Sequence, residues 1–152
     1  MQLKQERKRR HNPKVIAPNS VPGDDQVLNF SFKYFITDDA NFPLTDCDLD
    51  FMNSLLQRMC YYGKMSVKEF VRPDDKERRH LLMWPLREYE GFPGIDNNEI
   101  GADQSWQFCL WTQERLHPKW RVHGFLQSNT FYVVWFDPNH YLTIDPVKPK
   151  KR

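Results

Sequence analysis

Three apolar runs separated by short turns lie between residues 106 and 136, and they constrain the fold more than any other feature. Residues 106–111, 120–126 and 131–136 are rich in aromatic and β-branched side chains, which favour strands. Residues 127–130 are short enough for a tight hairpin connection centred on Ser128 and Asn129. The pattern predicts consecutive antiparallel strands in the last third of the chain.

The first half of the chain carries one strand pattern and two helix patterns. Residues 27–36 alternate apolar and polar side chains, which predicts a half-buried strand. Thr45 with Asp48 forms a capping-box-like start for a helix, and Gly63 suits a left-handed C-terminal cap. A second capping box, Ser66 with Glu69, opens a short helix that must end before the following proline. The first helix is expected to pack through its apolar positions, which are Leu49, Met52, Leu55, Leu56 and Met59.

The order of these elements predicts the fold class. Residues 81–84 predict a brief strand, and residues 85–105, with three Gly and two Pro, predict a long surface loop of the kind that is either functional or poorly ordered. Strand, helix, helix, strands is typical of an α+β fold, with an antiparallel sheet of about four strands and two helices packed on one face. We expect a flexible basic leader over residues 1–25, a single domain over 26–146 and a basic tail over 147–152.

Positive charge is concentrated at the two ends of the chain, although the formal net charge is only +2. Residues 1–14 carry +5 and residues 148–152 carry +4, which leaves −7 on the body between them. Because a net negative body repels phosphate, long-range attraction to a polyanion would come from the ends. Solvated ends without such a role are the alternative.

Cysteine and histidine spacing disfavours disulfides and metal sites. Cys47, Cys60 and Cys109 are odd in number and lack CxxC spacing, so we expect reduced thiols in a cytoplasmic protein. The five histidines show neither HxxxH nor HExxH spacing, and we expect no metal and no other cofactor. No apolar run reaches the roughly 18 residues that span a bilayer, and the N-terminus lacks the apolar stretch of a secretory signal, so we expect no membrane association.

The element order, the size and two short motifs resemble the RelE/YoeB superfamily of bacterial toxins. The motifs are Trp120-Arg121-Val122 on an inner strand and Asn139-His140-Tyr141 after the last strand. The likeness covers residues 27–145 in element order and residues 120–141 residue by residue. It implies a RelE-like β-α-α-β-β-β fold and a cytoplasmic endoribonuclease, of bacterial or mobile-element origin, that cuts messenger RNA on or off the ribosome and is neutralised by an antitoxin protein. The chain departs from the toxin pattern in its acidic first helix, because those toxins are basic there.

Cleavage of RNA through its own 2′-hydroxyl needs a proton acceptor, a proton donor and fixed positive charge at the phosphorane, and it needs no metal. A histidine titrates near neutral pH, and an arginine can hold two phosphate oxygens. Glu88 or Glu90, in the long loop, can serve as the base if that loop folds back over the sheet. The expected catalytic residues are His140, Arg121, Tyr141 and Glu88. The expected RNA-binding residues are Lys119 and His123, which share a strand face with Arg121, and Arg115.

Plainer interpretations stay open for these residues. His140 can close the preceding turn with a hydrogen bond to Asp137, and Arg121 can pair with an acid inside the sheet. Tyr132, Trp135 and Phe136 favour core packing over base stacking. The second functional hypothesis is therefore a non-catalytic protein- or nucleic-acid-binding module that uses the aromatic sheet and the basic tails.

Overall fold

The computed structural model describes residues 26–72, 77–96, 100, 104–112 and 115–143, and five strands in them form one sheet. The strands are β1 (Asn29–Ser31), β2 (His80–Leu81), β3 (Ser105–Thr112), β4 (Arg115–Gln127) and β5 (Thr130–Asp137), in the order β1-β5-β4-β3-β2. β1 runs parallel to β5, whereas the other pairs are antiparallel. The predicted α+β class is confirmed, but the sheet is mixed and has five strands. The predicted leader and the predicted tail lie outside the described residues.

The β4–β5 hairpin has the predicted turn and an additional bulge. Ser128 takes a left-handed backbone with φ of 53°, as tight hairpin turns require. Further along the hairpin, His123 pairs with Trp135 and Gly124 pairs with Val133, which leaves one extra residue in β5. A Cβ atom on Gly124 would lie 2.1 Å from the carbonyl oxygen of Tyr132, so only glycine allows this close approach.

Helix α1 (Leu49–Tyr62) begins at Asp48, whose side chain accepts a hydrogen bond of 2.8 Å from the Phe51 N–H. Its predicted core face is partly wrong: Leu49, Met52 and Leu56 are exposed. The buried positions of the helix are Phe51, Ser54, Leu55 and Tyr62. The helix is therefore apolar on two sides, and its aromatic side faces the sheet.

Of the three predicted caps, those at Thr45 and Gly63 are wrong and the one at Ser66 is correct. Thr45 lies in a 3₁₀ helix, and Asp48 is the residue that caps α1. Gly63 has φ of −65°, so the predicted left-handed cap is absent at this position. Helix α2 (Val67–Phe70) opens as predicted, because the Ser66 hydroxyl accepts from the Glu69 N–H at 3.2 Å. A 3₁₀ helix, Leu44–Asp46, precedes α1.

The sheet is buried on both faces. The helices cover one face, and its core consists of Leu28, Phe51, Leu55, Tyr62, Val67, Phe70, Trp106, Phe108, Leu110, Val122, Leu126, Phe131, Val133 and Phe136. Loop segments cover the other face, and its core consists of Phe42, Leu82, Phe92, Ile100, Phe125, Val134, Trp135 and Leu142. The described part of the predicted surface loop is therefore a packed layer, since it brings Phe92 and Ile100 into this second core.

The first strand is much shorter than its alternating sequence predicts. The chain leaves the sheet after Ser31, and Phe32 and Tyr34 become largely exposed. The backbone then crosses over the second face, where the Ile36 N–H donates to the Val134 carbonyl at 2.9 Å. The bulge in β5 thus provides the acceptor that anchors this crossing.

Candidate active site

The phenol of Tyr141 and the carboxylate of Glu88 meet on the surface, just beyond the end of β5. The Tyr141 hydroxyl lies 2.9 Å from Oε1 and 2.8 Å from Oε2 of Glu88, and it donates to this carboxylate. The hydrogen bond to Glu88 is the main cause that raises the pKa of Tyr141, because it favours the protonated phenol. Two of the residues expected to be catalytic are therefore in direct contact.

Residues from the crossing segment extend this pair into a network. The Asn41 side-chain amide donates to Oε1 of Glu88 and to the Tyr89 hydroxyl, the latter at 2.9 Å. The Tyr89 hydroxyl donates to Oδ2 of Asp39 at 2.8 Å. Burial, together with this bond to Asp39, raises the pKa of Tyr89 to about 12, so the phenol stays protonated near neutral pH. Glu88 is thus oriented by two neutral hydrogen-bond donors, the Asn41 amide and the Tyr141 hydroxyl.

Arg87 lies against Tyr141 and supplies a positive charge at the pair. Its Nε donates to the Tyr141 carbonyl at 2.7 Å, and its guanidinium carbon lies 4.7 Å from the centroid of the Tyr141 ring. This is a cation–π arrangement on an exposed surface. The Nε contact fixes the guanidinium plane on an exposed side chain, and a guanidinium held in this way is suited to binding an anion through its terminal nitrogens.

The backbone at both sides of the pair is in the left-handed region. Arg87, directly before Glu88, has φ of 55°, and His140, directly before Tyr141, has φ of 54°. For a residue with a Cβ this conformation costs roughly 1–2 kcal/mol. Such strain tends to cluster at functional sites, where the surrounding structure maintains it.

His140 is partly exposed and belongs to a second polar chain. Its Nε2 lies 3.1 Å from the Thr143 hydroxyl, which donates to the Gln107 side chain at 2.8 Å. His140 directly precedes Tyr141 in the sequence. The proton-transfer role of His140 stays a prediction.

Arg121 does not face an open cleft, so the expected accessibility of its guanidinium is wrong. The side chain is buried, and its Nη1 lies 3.1 Å from the carbonyl oxygens of His117 and Trp120 and 3.2 Å from the Cys109 sulfur. The register of the β3–β4 pair shifts beside Arg121, between Cys109 and Trp111. Arg121 donates to the two carbonyls inside this irregular part of the sheet, which is a structural role and leaves its guanidinium poorly placed to hold RNA phosphate.

His123 is fully buried, so it does not lie at the surface where an RNA contact was expected. Its Nε2 lies 2.8 Å from Oδ2 of Asp137, and neither side chain is exposed. Asp137 also accepts from the backbone N–H groups of Tyr141 and Leu142, at 2.9 and 3.0 Å. Strict alternation predicted a strand face for His123 but not its burial, which comes from loop residues such as Phe42 that pack beside it.

Arg115 and Lys119 are exposed, in agreement with a surface role. They lie on the first half of β4, which is at the same end of the sheet as the C-terminal end of β5, because Arg121 pairs with Asp137. His117 lies between them, stacked on Trp120 with ring centroids 3.8 Å apart. Burial and the charge of Arg121 lower the pKa of His117, which favours the neutral form of its ring.

Sequence reasoning missed Arg87, Asn41, Asp39 and Tyr89. Arg87 and Tyr89 flank the predicted Glu88, but their roles depend on the left-handed turn at Arg87. Asp39 and Asn41 lie in an Asp-rich turn. This turn reaches the loop-covered face of the sheet because the bulge in β5 anchors the preceding Ile36, and the sequence does not indicate that bulge. The one signal in the sequence for this site was a run of charged residues with an aromatic residue among them, inside a Gly- and Pro-rich loop.

Two further surface features lie around α1. A polar cleft of about 240 Å³ opens between α1 and the end of β3, and it is lined by Asp50, Asn53, Ser54, Gln57, Trp111 and Thr112. Its floor is fixed by Ser54, whose hydroxyl accepts from the Trp111 N–H at 3.0 Å and donates to the Trp111 carbonyl. On the outer side of the helix, the apolar stripe consists of Leu49, Met52 and Leu56, which are 86%, 36% and 59% exposed.

Within the described ranges, no three His, Cys, Asp or Glu side chains are arranged to hold a metal ion. Cys47, Cys60 and Cys109 form no disulfide with one another. None of the helices in the described part of the chain has the length and apolar character needed to cross a membrane.

Comparisons of the chain with protein-family models, with curated proteins and with solved structures give no match.

Proposed function

We propose that the protein is a metal-independent endoribonuclease of the toxin type, and that its active site is formed by Glu88, Tyr141, His140 and Arg87. The observation that carries this proposal is the exposed contact between the Tyr141 phenol and the Glu88 carboxylate, with the Arg87 guanidinium against the same phenol ring. A base, a donor and a fixed positive charge are the groups that RNA cleavage requires.

The proposed reaction assigns one task to each side chain. Glu88 removes the proton of the RNA 2′-hydroxyl, and the resulting oxygen attacks the adjacent phosphorus. The bond from phosphorus to the 5′-oxygen breaks, and His140 in its protonated form gives its proton to that leaving oxygen. Arg87 stabilises the phosphorane, which is the task first expected of Arg121, and Tyr141 donates to a phosphate oxygen or stacks on a base. The products are a 2′,3′-cyclic phosphate and a 5′-hydroxyl.

The charge distribution supports RNA as the substrate in spite of the acidic body. Arg115 and Lys119 are exposed at the same end of the sheet as the site. The four basic residues of positions 148–152 follow Thr143 by five to nine residues along the chain. Attraction by these groups would offset the repulsion from Asp39 and Glu88.

The toxin assignment also includes the finer part of the fold prediction. A RelE-like architecture is consistent with the order β1, α1, α2 and then the C-terminal strands. With it we propose a cytoplasmic protein of bacterial or mobile-element origin that acts on RNA, on or off the ribosome, and that an antitoxin protein neutralises.

The test is cleavage of RNA in the presence of EDTA, with and without ribosomes, followed by analysis of the ends. We expect 2′,3′-cyclic phosphate ends from the native protein and losses of at least ~10²-fold for Glu88→Gln and His140→Asn, as is typical for general acid–base groups. Asparagine is chosen at His140 because it tolerates the left-handed backbone. Asp38→Asn, an exposed acid in the neighbouring turn, is the matched control and should cleave like the native protein. Intact RNA in every condition, or full activity in Glu88→Gln, contradicts the proposal.

A non-catalytic binding module is the second candidate, and the exposed apolar stripe on α1 favours it. Phe131, Trp135 and Phe136 of the aromatic sheet are buried, so this candidate would bind a partner through the apolar stripe on α1. The same experiment separates the candidates. A binding module retains RNA or a protein partner without cutting RNA, and Glu88→Gln leaves that retention unchanged.

A further inference from the structure

We infer that the buried His123–Asp137 pair is a positioning device that sets the place of Tyr141 against Glu88. This inference deepens the proposed function and rests on it only in treating Tyr141 and Glu88 as the site. Neither His123 nor Asp137 has a hydrogen bond to Glu88 in the network described above. The pair is connected to the site by the hydrogen bond from the Tyr141 N–H to Asp137 and by the Phe42 ring, which contacts both His123 and Tyr141.

Asp137 is the point where the last strand ends and where three hydrogen bonds converge. Its Oδ1 accepts from the Tyr141 N–H at 2.9 Å, and its Oδ2 accepts from the Leu142 N–H at 3.0 Å and from His123 Nε2 at 2.8 Å. With Asp137 ionised, the shared proton lies on Nε2, which makes His123 a donor toward the carboxylate. Nδ1 of His123 is buried and has no hydrogen-bond partner within the described residues, so the Asp137 bond is what orients this ring.

Burial and hydrogen bonding act in opposite directions on this carboxyl. Burial raises the pKa of Asp137, but the hydrogen bond and charge of His123 and the two N–H donors outweigh it and lower the pKa below its ordinary value. The ionised carboxylate is therefore the form that holds the turn. A buried anion with three donors has one stable geometry, and this geometry fixes the direction in which the chain leaves β5.

Tyr141 is held at both of its backbone polar groups. Asp137 accepts from its N–H, while Arg87 donates to its carbonyl at 2.7 Å. One residue earlier the chain passes through the left-handed conformation of His140, which no strand or helix supports. The Asp137 carboxylate thus takes the place of the hydrogen bonds that a strand would provide to this backbone. Because Asp137 holds the Tyr141 N–H, the Cβ of Tyr141 is held in place as well, and the phenol reaches Glu88.

Gln107 strengthens this arrangement from the neighbouring strand. It pairs with His123 across the β3–β4 ladder and accepts from the Thr143 hydroxyl at 2.8 Å. The segment from Asp137 to Thr143 is therefore tied to the sheet at both ends. A change at His123 or Asp137 should loosen one end and leave the Gln107 contact in place.

The test is the titration of Tyr141, followed by NMR of protein labelled with ¹³C at the tyrosine ring, with Tyr141→Phe to assign the signal. In the native protein Tyr141 should titrate above an ordinary tyrosine because of its bond to Glu88. We expect Asp137→Asn to move this pKa downward, in the direction that Glu88→Gln also produces. His123→Gln, which keeps an N–H group toward Oδ2, should give a smaller shift of the same sign.

Val133→Ala is the control for a merely structural role, because Val133 is fully buried in the same strand and does not contact the turn through a hydrogen bond. It should reduce stability and leave the Tyr141 titration unchanged. If Asp137→Asn does not fold, His123→Gln carries the test alone. An unchanged Tyr141 pKa in the folded variants, or an equal shift in Val133→Ala, overturns the inference. Intact RNA together with the expected Tyr141 shifts would instead reject the ribonuclease proposal and keep the positioning role.

Discussion

Gly124→Ala tests the packing that places β5, and with it the site, against the rest of the sheet. An added Cβ would lie 2.1 Å from the Tyr132 carbonyl oxygen and 2.5 Å from Cε1 of the Phe131 ring. Ordinary van der Waals contact begins at 3.4 Å, so β4 and β5 would have to separate by more than 1 Å at the bulge, where Phe131 is completely buried. Overpacking of this kind typically costs about 1–3 kcal/mol, and the backbone contact puts this variant at about 3 kcal/mol or above.

Gly94→Ala provides a matched comparison. Its Cβ would meet nothing within 4 Å, but Gly94 has φ of 74°, so the alanine should cost only about 1 kcal/mol through backbone strain. Urea and thermal unfolding, followed by tryptophan fluorescence and circular dichroism, measure both. At about 2–4 °C per kcal/mol for a chain of this size, Gly124→Ala should lower Tm by about 6 °C or more and Gly94→Ala by about 2–4 °C. Equal losses in the two variants refute the reasoning about the bulge.

Three further changes test other parts of the structure. Leu55→Ala should cost about 2–5 kcal/mol and Leu56→Ala less than about 0.5 kcal/mol in urea unfolding, because Leu55 is buried and Leu56 is exposed; similar losses would contradict the orientation of the helix. Asp137 has a lowered pKa, so its stabilisation is fully present above about pH 4 and is lost as the pH falls through its folded-state pKa. The free energy of unfolding, measured from pH 6 to pH 2, should fall less steeply with acid in Asp137→Asn than in the native protein. An equal fall in the two proteins would reject the stabilising role of the ionised Asp137. Ser54→Ala should cost about 1–3 kcal/mol, since the backbone N–H and carbonyl of Trp111 lose their partner; a neutral result in the same urea experiment would argue against that contact.

The sequence predicted the parts of the fold that local pattern controls. The C-terminal hairpin and the capping box at Ser66 follow from turn and capping chemistry that acts within four residues, and both are confirmed. The face of α1 was partly wrong because its sequence is apolar on two sides, and the choice between Leu55 and Leu56 depends on the shape of the sheet. The parallel placement of β1 beside β5 joins residues about 100 positions apart, and no local signal specifies it.

For the candidate site, too, the sequence predicted what local pattern controls and missed what long-range packing controls. Glu88 was one of two acids chosen by residue type, and Tyr141 came from the His-Tyr pair of the toxin resemblance; the structure brings the two side chains into contact. Arg121 and His123 were expected at the surface because strict alternation gives the face of a strand but not what covers that face. The loop layer over the second core, and the register shift beside Arg121, decide their burial. Arg87 replaces Arg121 in the proposal because a left-handed turn, which sequence did not indicate, directs it to Tyr141.

The most direct test of the central claim is the rate of RNA cleavage by the Glu88→Gln protein relative to Asp38→Asn, with EDTA present and 2′,3′-cyclic phosphate ends as the readout. Both substitutions replace an exposed carboxylate by an amide of the same shape, and only Glu88 bonds to Tyr141. The account predicts native-like cleavage by Asp38→Asn and a rate at least ~10²-fold lower for Glu88→Gln. Equal rates in the two variants, or no cleavage by the native protein with or without ribosomes, would contradict it.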